Sequence, residues 1–148
     1  MKFALVNPNW DFTGSTYFGC RDPHVPLELM FAFDQLRNAG HEPLLIDAQT
    51  DHLSVHEVKP RIAEFSPDFL VIPTAPSYLF WRCPPPELRV PMEWFNSLGE
   101  VTKAVKVAIG PHPSATPSAT LRKTGCDGTG VLRRHGALGR ALGGARSA

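Results

Sequence analysis

Short apolar runs that alternate with helix-period segments are the feature that most restricts how this chain can fold. Four such runs stand along the sequence: "KFALVN", "PLLIDA", "FLVIP" and "VKVAIG". A nearly continuous apolar run is typical of a parallel strand that is covered on both faces. Strands separated by helices predict one α/β domain, with right-handed crossovers and helices on both faces of a parallel sheet.

The segments between these runs have helical patterning. The first helix is predicted from Pro26 to a left-handed cap at Gly40. Its apolar face comprises Leu29, Met30, Ala32, Phe33 and Leu36. The second helix is predicted from a capping box of Ser54 and Glu57, although Pro60 should delay its start or kink it.

The second half of the chain is rich in proline. Residues 75–91 are predicted to be a loop, followed by a third helix over "MEWFNSLGEVTKA" that is interrupted near Gly99. A short helix is expected from Pro117 to Gly125. A fifth strand is due near Asp127, but "DGTGVL" is a poor strand sequence, and we expect its absence to leave an exposed edge.

The predicted fold is a flavodoxin/Rossmann-like open parallel sheet of four to five strands in the order 2-1-3-4-5. In this order, ligands bind at the carboxyl ends of the strands, between strands 1 and 3. The segments "NPNW", "PTAPSY" and "GPHPS" should therefore form the site. Two loops beside it carry aromatic residues that could cover a flat ligand or dock another domain. These residues are Trp10, Phe18, Tyr78, Phe80 and Trp81.

The motifs of the commonest enzymes with this architecture are missing. The sequence contains no GxGxxG dinucleotide fingerprint, no GxxxxGK[ST] phosphate loop and no GxSxG nucleophile elbow. Paired acids of a phospho-acceptor domain do not follow strand 1. The three cysteines, Cys20, Cys83 and Cys126, form no CxxC pair, so each is expected to be a free and partly buried thiol.

The net charge and the amino terminus restrict the possible partners and the location of the protein. A net charge of +1 makes no case for nucleic acid. The first apolar run is too short for a signal peptide, and no run approaches a membrane span, so we expect a cytoplasmic protein. His52 and His56 stand four apart, but Ser54 separates them as a helix cap, and a solvated helix start is the favoured interpretation over a metal pair.

His112 has two interpretations on residue type alone. It could project from the turn after strand 4 toward a ligand, or it could hydrogen-bond the backbone of a proline-flanked turn, which is favoured. Asn7 could likewise only shape a turn with Pro8. Thr74 and Ser77 could only satisfy loop backbone.

The ordered set of motifs resembles a known family. The segments "ALVNP", "VPLELMFAFDQLRNAGHEPLLIDA", "FSPDFLVIPT" and "VAIGPHPSATPSATL" are similar, over about residues 2–127, to the N-terminal cobalamin-binding domain of B12-dependent radical SAM enzymes. The resemblance implies a cobalamin at the carboxyl edge of the sheet. By motif match it assigns cofactor contacts to Asn7, Pro8, Thr74, Gly110, Pro111 and His112.

The chain also departs from the family pattern. The DxHxxG motif, which supplies a cobalt-ligating histidine in other B12 proteins, is missing, so the resemblance implies base-off cobalamin without a histidine ligand from the protein. The turn after strand 4 carries one glycine, Gly110, where the family usually has two. The CxxxCxxC motif of an iron–sulfur cluster is nowhere in the chain, so no cluster and no activity of the chain alone are expected.

The last 21 residues differ in kind from the rest. Residues 128–148 contain four arginines and no acid, in place of the strand and the radical SAM domain of a full-length relative. We therefore expect a cobalamin-binding-like domain over 1–127 and a disordered or out-of-frame tail over 128–148. The hypothesis of a truncated reading frame is tested by translating the parent DNA in its other frames. The alternative functions are an interaction or vestigial domain without cofactor and the small-molecule half of a transferase.

Overall fold

The computed structural model of the chain describes residues 1–11, 24–76 and 87–130. Five strands in these ranges form one parallel sheet in the order β2-β1-β3-β4-β5, which confirms the predicted fold class and strand order. The elements are β1 Lys2–Asn7, α1 Leu27–Asn38, β2 Glu42–Asp47, α2 Val55–Phe65, β3 Phe69–Pro73, α3 Arg89–Gly99, β4 Val105–Ile109, α4 Pro111–Ala115, α5 Pro117–Thr124 and β5 Gly128–Gly130.

The helices cover both faces of the sheet, as predicted. Because side chains alternate along a strand, β1 turns Phe3 and Leu5 to one face and Ala4 and Val6 to the other. On the first face α1 packs with the buried residues Leu29, Ala32 and Leu36. On the second face the core is larger and takes its helical residues mainly from α2 and α3, namely Val58, Ile62, Val90, Trp94, Phe95 and Leu98.

The predicted apolar face of α1 is correct except for one residue. Phe33 is partly buried against the core, but Met30 is 43% exposed. Met30 follows Leu29 by one position and so lies about 100° around the helix from it, outside the buried stripe. The left-handed backbone at Gly40 follows the helix as expected, with φ at 79°.

Helix α2 begins where its cap dictates. The Ser54 hydroxyl accepts from the backbone N–H of Glu57, and the Glu57 carboxylate accepts from the backbone N–H of Ser54, so the capping box is confirmed. The helix starts at Val55, so the expected late start is wrong. Pro60 lies inside the helix on its exposed side.

Helix α3 begins earlier than predicted. It starts at Arg89, three residues before Met92, and includes Pro91, which the sequence interpretation had placed in the loop. The first turn of a helix has no intrahelical acceptor for its N–H groups, so a proline there costs no hydrogen bond. Residues 77–86 of the predicted loop lie outside the described residues.

The fifth strand is present, so the expectation of its absence is wrong. Residues Gly128–Gly130 pair with β4, directly after the predicted domain boundary at 127. Asp127 fixes this pairing: its carboxylate accepts from the backbone N–H of Lys106 at 2.8 Å, and its own N–H donates to the Lys106 carbonyl at 2.8 Å. Asp68 makes the same pair of bonds to Lys2 at the start of β3.

Two further features bear on the predicted organisation. No helix in the described ranges is long and apolar enough to cross a membrane. Cys126 is a free and buried thiol, as expected, while Cys20 and Cys83 lie outside the described residues. The tail beyond Gly130 lies outside them too, so its division from the domain stays a prediction.

Candidate functional site

A small, open cleft lies at the carboxyl edge of the sheet, where β1, β3 and β4 end. Its position between β1 and β3 is the point at which the strand order reverses, as predicted from the sequence. The lining is mostly apolar, and it consists of Asn7, Pro26, Glu28, Leu29, Pro73, Ala75, Pro76, Ile109, Gly110 and Pro111. Such a cleft suits a flat ligand that presents an apolar face.

A buried hydrogen-bond network holds the β1 side of the cleft. The side-chain N–H of Asn7 donates to Asp47 Oδ1 at 2.7 Å, and Asn7 Oδ1 accepts from the indole Nε1–H of Trp10 at 2.9 Å. Asn7 is 1% exposed. It pairs with Asp47 in the β1–β2 register, so the last residues of two neighbouring strands are joined through their side chains.

The chain that leaves β1 is also held by α3. The Arg89 guanidinium donates to the carbonyl oxygen of Asp11 at 2.6 Å, which ties this segment to the start of α3. Trp10 is 8% exposed and packs in the larger core. Residues 7–11 therefore have three points of attachment: Asp47, the core and Arg89.

The β4 side of the cleft depends on Gly110. Its backbone has φ 110° and ψ −157°, a region that residues with a side chain almost never adopt. A Cβ placed on Gly110 would stand 3.1 Å from Thr74 Oγ1. Thr74 is fully buried, and both its hydroxyl and its backbone N–H donate to the Ile109 carbonyl, at 3.1 and 2.8 Å. The turns after β3 and β4 are therefore in direct contact.

A short helix, α4, follows Gly110 where the sequence analysis had expected only a turn. Pro111 is at its first position, and the Ser114 hydroxyl and backbone N–H both donate to the Gly110 carbonyl, at 2.8 and 3.3 Å. Pro is favoured at the first helical position because its φ is fixed near the helical value. The His112 carbonyl accepts from the Thr116 backbone at 2.7 Å, and its side chain is half-buried.

Three of the six predicted contact residues line the cleft. Asn7, Gly110 and Pro111 do so, whereas Pro8, Thr74 and His112 are outside the lining. Thr74 is buried and instead joins the ends of β3 and β4 through its bonds to the Ile109 carbonyl. Lining the cleft does not make a residue a cofactor contact, so the roles of all six toward a cofactor stay predictions.

The start of α1 was not predicted to belong to the site. Pro26, Glu28 and Leu29 line the cleft because α1 starts at the same sheet edge as the β4 turn. Pro26 was recognised as a helix start, and a helix that follows β1 necessarily begins near the carboxyl ends of the strands. This connection could have indicated from the sequence that the start of α1 belongs to the site. The aromatics Phe18, Tyr78, Phe80 and Trp81 lie outside the described residues.

Ionisable groups with a shifted pKa lie away from the cleft among the described residues. Hydrogen bonds from the Ser54 hydroxyl and backbone lower the pKa of Glu57, and the Lys59 ammonium, 2.6 Å away, lowers the pKa of Glu100. The described part of the chain contains no group of three side chains suited to holding a metal ion. His52 is exposed and precedes the Ser54 cap, as expected for a solvated helix start.

The fold is similar to that of one region in solved cobalamin-containing enzymes. The chain is similar to the radical S-adenosylmethionine methyltransferase TsrM from Kitasatospora setae, solved with cobalamin and a 4Fe-4S cluster, at 24% identity over 86% of this chain and 21% of that one, with a TM-score of 0.61. The same enzyme solved with tryptophan substrate and a SAM analogue gives a TM-score of 0.64 at 23% identity.

A second solved enzyme has the same fold. OxsB, a cobalamin-dependent S-adenosylmethionine radical enzyme solved with aqua-cobalamin and S-adenosylmethionine, matches 82% of this chain at 13% identity, with a TM-score of 0.58. This chain spans 21% of the length of TsrM and 15% of the length of OxsB. No family model matches the chain, and neither does any curated protein. The similarity therefore establishes the fold.

Proposed function

We propose that this chain is a cobalamin-binding module. The observation that carries the proposal is the open, mostly apolar cleft at the switch point of a sheet whose fold is shared with TsrM and OxsB, both solved with cobalamin bound. Ligands of open α/β sheets bind at this point because loops from both halves of the sheet converge there.

The residues of the cleft fit the shape and chemistry of a corrin. A corrin is broad and flat, with apolar faces and a fringe of amides. Proline and alanine side chains at positions 73, 75, 76 and 111 give a low apolar wall, which lets a wide ring approach the backbone. Gly110 has no side chain to obstruct that approach, and its carbonyl already has its acceptor role in α4.

The chain's own residues would hold the ring and exclude water from one of its faces. Gly110 and Pro111 would contact the corrin edge from the turn after β4. Cobalamin, when bound, supplies a cobalt centre that can carry a methyl group. That the cobalamin would be bound base-off, without a histidine ligand from the protein, stays a prediction from the family resemblance.

Any reaction would need a further module. TsrM is described as a methyltransferase with a 4Fe-4S cluster, and this chain spans about a fifth of its length. A role beside a radical SAM domain is therefore part of the proposal.

The alternative function, a protein-interaction domain without cofactor, also has an observation in its favour. Phe31 is 69% exposed and Met30 is 43% exposed on the outer side of α1, close to the cleft-lining start of that helix. Exposed apolar side chains grouped in this way are found at docking surfaces.

Mixing the purified chain with hydroxocobalamin and desalting it separates the two functions. The proposal predicts a retained corrin absorption band at about one equivalent per chain and a raised melting temperature, because a ligand of the native state stabilises it. A colourless protein with an unchanged melting temperature would favour the interaction domain.

A further inference from the structure

Both the nitrogen and the oxygen of the Asn7 amide are hydrogen-bonded inside the protein. Its nitrogen donates to Asp47 Oδ1 at 2.7 Å and its oxygen accepts from the indole of Trp10 at 2.9 Å, and the residue is 1% exposed. An amide can offer further lone pairs and one more N–H, but little of this group is open to a ligand. Its position in the cleft wall therefore calls for a role other than direct contact.

We propose that Asn7 is a positioning residue, which joins the end of β1 to β2 and to Trp10 and so fixes the part of the cleft wall that Asn7 itself forms. The inference rests on the proposed function for its ligand. Asn7 links the end of β2 to Trp10, and Arg89 holds the next residue, Asp11, through its carbonyl oxygen at 2.6 Å. Together these contacts form a clamp on residues 7–11, with anchors on β2, in the core and on α3.

The amide is the side chain that this position requires. One partner is an acceptor, the Asp47 carboxylate, and the other is a donor, the Trp10 indole. A leucine of similar size would leave both partners without their bonds. A carboxylate would accept from Trp10 but repel Asp47. A protonated carboxyl would reproduce both bonds, because its O–H would donate to Asp47 and its carbonyl oxygen would accept from Trp10.

Protonation therefore gives a specific test through Asn7→Asp. Two carboxyl groups at hydrogen-bonding distance share one proton, so the pair is bridged at low pH and repulsive at high pH. Other charged or titratable groups on the described segments around the clamp include Asp11 within it, Asp51 after β2, Glu28 on α1 and Arg89 on α3. They are the same in the wild type, which therefore provides the reference at each pH.

The experiment compares the full-length wild type, Asn7→Asp and Asn96→Asp. Asn96 is exposed on α3, so its replacement adds the same charge away from the cleft. The affinity for hydroxocobalamin is measured at pH 5 and pH 8. We expect Asn7→Asp to match the wild type at pH 5 and to bind about tenfold more weakly at pH 8, the size of one charge-assisted hydrogen bond. Asn96→Asp should match the wild type at both pH values.

A second measurement works without ligand. The indole N–H resonance of Trp10, assigned with Trp10→Phe, should move between pH 5 and pH 8 in Asn7→Asp only. An Asn7→Asp variant that binds like the wild type at both pH values, or that fails at both while its indole resonance stays fixed, would overturn the positioning role. A wild type that binds no cobalamin would overturn the proposed function, and the indole resonance would then decide the clamp alone.

Discussion

Replacing Gly110 with alanine tests the most constrained point of the cleft. Gly110 has φ 110° and ψ −157°, and the added Cβ would stand 3.1 Å from Thr74 Oγ1 and 3.5 Å from its backbone nitrogen. Both Thr74 atoms are bonded to the Ile109 carbonyl and fully buried, so they have little room to move. The variant must either distort the turn or break these bonds.

Two contributions set the expected cost. Holding a residue with a side chain in this backbone region costs about 1–3 kcal/mol. Displacing the Thr74 hydroxyl from the Ile109 carbonyl adds about 1 kcal/mol, the net value of a typical hydrogen bond. We therefore expect Gly110→Ala to lower the free energy of unfolding by about 2–4 kcal/mol.

Urea unfolding followed by circular dichroism measures this loss as a lower midpoint at an unchanged slope. Gly125→Ala is the matched control, because Gly125 also has a positive φ, 65°, but no atom within 4 Å of an added Cβ. It should cost about 1–2 kcal/mol, the price of the left-handed region alone.

The double variant with Thr74→Ala separates strain from crowding. Removing the hydroxyl should recover about 1 kcal/mol of the Gly110→Ala cost, as a coupling energy between the two sites. If Gly110→Ala changed the free energy of unfolding by less than about 0.5 kcal/mol, the close approach of the β3 and β4 turns would be refuted.

Four further predictions concern the rest of the fold. Ser54→Ala should cost about 1 kcal/mol in urea unfolding through loss of the α2 cap. Because hydrogen bonds from Ser54 hold the pKa of Glu57 below its usual 4.5, the stability difference between wild type and Glu57→Gln should be present above pH 4.5 and vanish as the pH falls through the lower folded-state pKa. Phe95→Ala, in a fully buried position, should cost about 3–5 kcal/mol, measured in the same way. Asp127→Ala should speed hydrogen exchange at the Lys106 amide, which loses its 2.8 Å bond, and leave exchange in α1 unchanged.

The strands and their order could be predicted because burial leaves a strong pattern. The runs that became β1, β3 and β4 are apolar since helices cover both of their faces, and the alternation with helices then restricts the topology. The capping box of Ser54 and Glu57 could also be predicted, because it depends on two residues three apart in sequence.

The elements that were missed depend on contacts distant in sequence. The segment Gly128–Gly130 has almost no side chains that could indicate a strand. It pairs with β4 directly after Asp127, which is hydrogen-bonded to the Lys106 backbone. Helix α4 has five residues, two of them proline, so no periodicity can reveal it. The family resemblance assigned Thr74 to the site, but its hydrogen-bond partner, Ile109, is 35 residues away and is brought to it by the sheet.

Equilibrium binding of hydroxocobalamin to the full chain and two tryptophan variants tests the cobalamin proposal most directly. Glu28 lines the cleft and is exposed, so Glu28→Trp should fill the mouth without disturbing the core. Asp34 is exposed on the same helix but outside the lining, and Asp34→Trp is the control. The cobalamin module predicts one corrin per wild-type and Asp34→Trp chain, with affinity lowered about tenfold or more in Glu28→Trp. A wild type that binds no corrin, or a Glu28→Trp variant that binds like the wild type, would contradict it.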